Sequence, residues 1–122
     1  MPQLTEMDTK VTLFAQMEGS GGPVILINTF TVDPAEVDQL LHAWAADAAC
    51  MKRQPGFISS QLHRGIGGSC VFINYAAWES VEAFKRAFCH PEFQEALQHY
   101  PPSVVGSPHL LQKVAIPGIC VA

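Results

Sequence analysis

Charged residues are scarce in this 122-residue sequence, and basic ones are the scarcest: seven Lys and Arg stand against eleven Asp and Glu, for a net charge of -4. No run of basic residues is interleaved with aromatics, so the electrostatic footprint of a nucleic-acid-binding protein is missing. No apolar run reaches the ~20 residues that a membrane-spanning helix needs. The opening MPQLTEMDTK has neither the basic segment nor the apolar stretch of a secretory leader, so a cytoplasmic protein without a membrane partner is expected. Cys50, Cys70, Cys89 and Cys120 form no C-x-x-C pair, which argues against a zinc site or a redox dithiol and leaves them as reduced, mostly packing cysteines. The five histidines give no H-E-x-x-H and no i, i+4 pair on an expected helix, and no glycine fingerprint for a dinucleotide is present. Neither a metal nor a cofactor is expected. The glycine-rich GIGGS at 65–69 opens no helix and reads as a hairpin turn rather than a phosphate cradle.

What the chain does have is apolar surface. Hydrophobic residues make up 48% of it against 15% charged, more than a small monomer readily hides, which points to coverage by a second copy. The length suits one domain that buries about two-thirds of its unfolded surface. Residues 1–22 read as a lead-in, polar up to Lys10, with VTLFAQM alternating like a short extra strand before the linker EGSGG. Residues 23–116 read as the folded domain and 117–122 as a tail.

Within the domain, Pro23 to Val32 is apolar and β-branched, as in a buried strand. Asp33, Pro34 and Glu36 announce a helix by N-cap, first-turn proline and capping box, and Val37, Leu41, Trp44 and Ala48 supply an inner stripe. Pro55-Gly56 ends it. Phe57 to Arg64 and Cys70 to Ala77 form a hairpin around the glycine turn. Ser80 caps a short helix, His90-Pro91 starts another, PPSVVGSP is loop, and His109 to Ile116 is a last strand. The order βαββαβ is that of a ferredoxin-like α+β fold, one antiparallel sheet with helices on one face. Ile25, Ile27, Val71, Ile73 and Tyr75 are too apolar for the other face to meet water, so two sheets are expected to pack face to face as a homodimeric barrel.

The stretch FINYAAWES puts an amide, Asn74, on the same strand face as Phe72, Ala76 and Trp78. A buried amide needs hydrogen-bond partners, and either the protein or a ligand supplies them. Trp78 is equally a core residue whose indole N–H needs one acceptor or a wall of a pocket. His63 is a strand histidine and a candidate base, and Asn28 is a second amide on an apolar strand.

The runs ILINTFTVDPAEVDQLLHAW, QPGF, LHRG, NYAAWESVEAF and HPEFQEAL, in this order, resemble the antibiotic biosynthesis monooxygenase domain, which forms dimeric α+β barrels. NYAAWES is similar to the branch that oxidises anthrones and quinols with molecular oxygen and no cofactor. That resemblance implies a small aromatic polyphenol as substrate and a quinone as product. It implies catalytic roles for Asn74 and Trp78, and a base role for His63. Asn28, Phe72 and Phe84 would then contact the substrate. Two polar positions of the branch are Phe84 and Gln94 here. A haem-degrading branch of the family matches at Asn28 but has Ala87 and Leu97 where its Trp and axial His belong, with His99 two residues away. The remaining alternative is a non-catalytic barrel that binds a small hydrophobic ligand.

Overall fold

The computed structural model describes residues 2–122, so the first residue of the lead-in lies outside the described residues. The β-branched run forms strand β2, Val24–Thr31, at the centre of a five-stranded sheet ordered β1-β5-β2-β4-β3. The other strands are β1 (Gln3–Leu4), β3 (Phe57–Arg64), β4 (Val71–Trp78) and β5 (Val105–Leu111). Between them lie α1 (Leu13–Met17), α2 (Val37–Lys52), α3 (Val81–Phe88) and α4 (Pro91–Leu97). Strands β2 to β5 pair antiparallel in the ferredoxin-like order, while β1 adds to β5 in parallel and makes the whole sheet mixed rather than purely antiparallel.

Several expectations shift. VTLFAQM is a helix and not a strand: Thr12 Oγ1 accepts from the Ala15 N–H at 3.2 Å, and Leu13 and Met17, four residues apart, are buried. An i, i+4 pair in a short alternating run satisfies both periodicities, and the cap decides for the helix. Gln16 of this helix uses its amide as a strand would, donating to Leu110 O and accepting from Leu110 N, both at 2.9 Å, and so covers an unpaired length of β5. Strand β5 starts earlier than the sequence suggests, at Val105, and ends at Leu111. Pro108 argued for a loop, but β1 covers β5 only at Val105 and Gly106, so the proline sits where β5 has an open outer edge.

Helix α2 is entered through a 3-10 turn at Pro34–Glu36, and Asp33 makes no side-chain cap; its N–H donates to Ser103 Oγ at 3.1 Å instead. The buried stripe of α2 is Val37, Leu40, Ala43, Cys50 and Met51, while Leu41 is exposed. The phase is therefore rotated from the expected one. The reason is Asp47, a polar residue on the inner face that breaks the apolar periodicity from which the stripe is read. Ser80 and His90 cap α3 and α4 as expected, accepting from the N–H groups of Ala83 and Glu92 at 3.1 Å each. Gly56, at φ +89°, makes the turn from α2 into β3, and a Cβ there would lie 2.3 Å from Ala83 Cβ, so glycine is required both by conformation and by the close approach of α3.

The four cysteines are free, but only Cys50 is buried; Cys89 ends α3 and Cys120 lies in the tail, both exposed. Helices α2, α3 and α4 cover one sheet face. The other face carries Val71, Ile73, Tyr75 and Leu111, each between 36% and 42% exposed. Among the described residues no helix is long and apolar enough to cross a membrane.

Candidate active site

Register builds the site. Asn28 of β2 pairs directly with Asn74 of β4, which pairs on its other side with Leu62 of β3, so the two amides lie side by side mid-sheet under the helices. Flanking positions on the same face are Leu26 with Ala76 and Phe30 with Phe72. The small Ala76 leaves space above the sheet beside Asn74. That space is a cleft between the sheet and α2, α3 and α4, open to solvent at its mouth.

One wall of the cleft is aromatic. Phe57 meets Trp78 edge to face at 5.4 Å between centroids, Trp78 meets Phe84 at 5.9 Å, and the chain continues through Phe88 to Phe93. The opposite wall is the inner face of α2, with Trp44, Asp47 and Met51. Pro2 and Leu4 of the lead-in reach the cleft beside Gly106. A Cβ on Gly106 would come within 3.3 Å of Asn28 Oδ1, so glycine here lets the amide lie flat against β5.

The two amides differ in how they are held. Asn28 Oδ1 accepts from the Ser107 N–H at 3.1 Å. Asn74 Oδ1 and Trp78 Nε1 are buried and have no hydrogen-bond partner among the described residues. Buried polar groups are nearly always paired, so two unpaired ones four residues apart on one cleft wall mark the place where a ligand makes up the difference. Rotation about the last torsion lets the Asn74 amide present either its N–H groups or its oxygen.

The ionisable groups of the cleft come from residues that sequence reasoning missed. Tyr100 Oη donates to Asp47 Oδ2 at 2.6 Å. Burial pushes the Asp47 carboxyl up from 3.8 to about 6, the Tyr100 hydrogen bond working in the opposite direction. Burial and the neighbouring carboxylate push the Tyr100 phenol well above its usual range, so it stays a neutral donor. The signal for Asp47 was present: it sits three residues after Trp44 and four before Met51, on the inner face of an amphipathic helix.

Of the expected site residues, Asn28, Asn74, Trp78 and Phe84 line the cleft together. Phe72 and His63 do not. Phe72 is 1% exposed, stacked on Phe30 at 5.9 Å and covered by the Arg64 guanidinium at 5.2 Å, which makes it core. His63 pairs with Ile73 and not with Asn74, so strand alternation turns it to the opposite, exposed sheet face. Gln94 is also engaged elsewhere, donating to Phe88 O at 2.6 Å at the end of α3. His99 is exposed and pairs with Glu95, and none of the described residues lining the cleft is a histidine.

Comparison with known proteins agrees with this geometry. Deoxynogalonate monooxygenase of Streptomyces nogalater is 38% identical over 72 residues, which span 57% of this chain and 58% of that protein. The crystal structure of SnoaB, a cofactor-independent oxygenase from Streptomyces nogalater, superposes with a TM-score of 0.68 at 27% identity, covering 78% of this chain and 96% of that one. A structure from Shewanella loihica gives a TM-score of 0.68 at 31% identity over 80% of this chain and all of the other. The family model described as antibiotic biosynthesis monooxygenase matches residues 23–99, more than half of the chain, and the protein belongs to that family.

Proposed function

We propose that this protein is a cofactor-independent monooxygenase that converts an anthrone or hydroquinone to a quinone with molecular oxygen. The observation that carries the reading is the unpaired amide of Asn74 beside the unpaired indole N–H of Trp78, on the wall of an aromatic cleft. The relatives named for deoxynogalonate and for cofactor-independent oxygenation support it. A flat polyphenol fits between the Trp78 and Phe84 rings and the inner face of α2. Its ionised oxygen takes the unmatched Trp78 Nε1–H and, once the Asn74 amide turns to present them, the N–H groups of that side chain, and preorganised donors of this kind stabilise a developing oxyanion by about 3 kcal/mol. Once ionised, an electron-rich ring of this class passes one electron to oxygen, and the radical pair combines and loses water to give the quinone. Asn74 and Trp78 are the catalytic residues in this reading, with Asn28 and Phe84 positioning the ring. His63, on the far sheet face, is given no part within its own protomer.

The test is to incubate the purified protein with anthrone and with naphthohydroquinone under air, following oxygen uptake and quinone absorbance together. Stoichiometric oxygen consumption well above the buffer rate is expected. Tight binding of either compound without oxygen uptake would replace the enzyme with a ligand-binding barrel. Turnover of added haem instead would move the protein to the haem-degrading branch.

The working unit in this reading is a homodimer, because Val71, Ile73, Tyr75 and Leu111 form an apolar face that helices of the same chain leave uncovered. Light scattering at micromolar concentration is expected to give twice the 13.3 kDa chain mass. A stable monomer would contradict the barrel.

A further inference from the structure

We infer that Asp47, oriented by the Tyr100 hydroxyl, is the base that takes the proton from an acidic aromatic substrate in this cleft. The inference rests on the proposed reaction and names the group that the sequence left to His63. Asp47 and Tyr100 are the only ionisable side chains among the described residues lining the cleft. Tyr100 donates its proton to Asp47 Oδ2 at 2.6 Å and so fixes the carboxylate plane; Oδ1 has no donor among the described residues. The three side-chain ion pairs of the described residues leave Asp47 out, so no cation among those residues is paired with it. An unpaired carboxylate facing an apolar cleft is a stronger base than one in water, and burial raises its proton affinity accordingly.

Charge conservation makes the arrangement coherent. The carboxylate takes a proton from the substrate methylene or phenol, and the electron pair of the broken bond stays on the substrate as an enolate or phenolate. The cleft carries one negative charge before and after, moved from the α2 wall to the sheet wall, where Asn74 and Trp78 have unmatched polar atoms. The anion reduces molecular oxygen by one electron, and the radical pair closes a C–O bond to a peroxide, which takes the proton back from Asp47. Asp47 then removes the remaining proton from the same carbon, the O–O bond breaks, the carbonyl forms and hydroxide leaves to become water. One oxygen molecule and one methylene yield one carbonyl and one water, with no other reductant.

Proton abstraction is separable from oxygen chemistry. Anthrone incubated with the protein in deuterated buffer under nitrogen exchanges its methylene protons, an exchange followed by NMR above the buffer rate. Asp47→Asn keeps the acceptor for Tyr100 and is expected to lower the protein-dependent exchange about a hundredfold. Tyr100→Phe is expected to slow it about tenfold and to move the midpoint of its pH profile upward, since the lost hydrogen bond favours the ionised carboxyl. Among the described residues, the groups around Asp47 that bear on that profile are Tyr100 and, on its own helix, Cys50, whose thiol is itself pushed up by burial and by Glu92; the Arg53–Glu92 pair joins α2 to α4 nearer the surface. Folded Asp47→Asn protein that exchanges anthrone at the wild-type rate would overturn the assignment. Exchange by the wild-type protein with no oxygen uptake on admitting air would leave Asp47 a base and remove the oxygenase reading. Oxygen uptake that Asp47→Asn does not change would do the reverse, and a wild-type protein that neither exchanges nor oxidises would end both.

Discussion

Asn74→Leu is expected to lower turnover of any accepted hydroquinone or anthrone about a hundredfold, equivalent to about 2.7 kcal/mol of lost transition-state stabilisation, while apparent substrate affinity changes much less. Leucine has the same number of side-chain heavy atoms as asparagine and the same branch at Cγ, so the change stays close in shape although it adds some bulk to the strand face. The change also removes an amide whose oxygen is buried without a partner, and it strands no neighbour, because Asn28 keeps its bond from the Ser107 N–H. Removing an unsatisfied buried polar group lifts a desolvation cost of about 1 to 3 kcal/mol, so the variant should melt at or above the wild-type temperature. Turnover and melting measured on the same preparation separate the possible roles. Loss of stability with unchanged turnover per folded molecule would make Asn74 a structural residue and take the oxyanion site with it.

Those two amides show why some of this protein is legible in its sequence. Strand alternation alone puts Asn74 on one face with Ala76 and Trp78, and the structure keeps them there because β2 and β4 pair without a bulge across that stretch. The same rule, applied one strand further, cannot place His63 without the pairing register. Its facing depends on the register of the β3–β4 hairpin, and Leu62, not His63, lies opposite Asn74. Register is set by turn geometry and by a shift in pairing between Phe57 and Ser59, neither of which a residue pattern announces. Phe72 lies on the expected face, but Phe30 of β2 and Arg64, its pairing partner on β3, close over that end of the sheet.

Asp47 is hard to recognise in the sequence because it interrupts the apolar stripe by which an inner helix face is identified. The stripe Val37, Leu41, Trp44 and Ala48 excludes the acid, whereas the face that runs through the buried Leu40, Ala43, Cys50 and Met51 passes over the half-buried Asp47. A carboxylate at an inner helical position is evidence of use rather than noise, since the fold tolerates it only at a cost. Tyr100 is hidden differently. It lies three residues beyond the end of α4, and only the packing of that segment against α2 brings its hydroxyl to Asp47.

That cost gives the second large effect, which appears in stability as a function of pH. The Asp47 carboxyl binds its proton more tightly in the folded protein, at about 6, than at the ordinary 3.8 of the unfolded chain. Below about pH 4 both states are protonated and the residue carries no penalty. As pH rises from there, the unfolded chain ionises first and gains relative to the folded one, until above about pH 6 both are ionised and the penalty is complete. The difference between 3.8 and about 6 corresponds to on the order of 3 kcal/mol. Asp47→Asn does not titrate at this position and its amide oxygen still accepts from Tyr100, so the variant should be more stable than wild type by that amount near pH 8, with the gap closing as pH falls to about 4. Urea midpoints for the two proteins across that range measure it directly. Two parallel curves would mean that the Asp47 carboxyl ionises alike in the folded and unfolded chain, and that the inner face of α2 holds no strengthened base. A gap that widens toward neutral pH, together with the loss of proton exchange, would identify a group that the fold retains at the expense of its own stability.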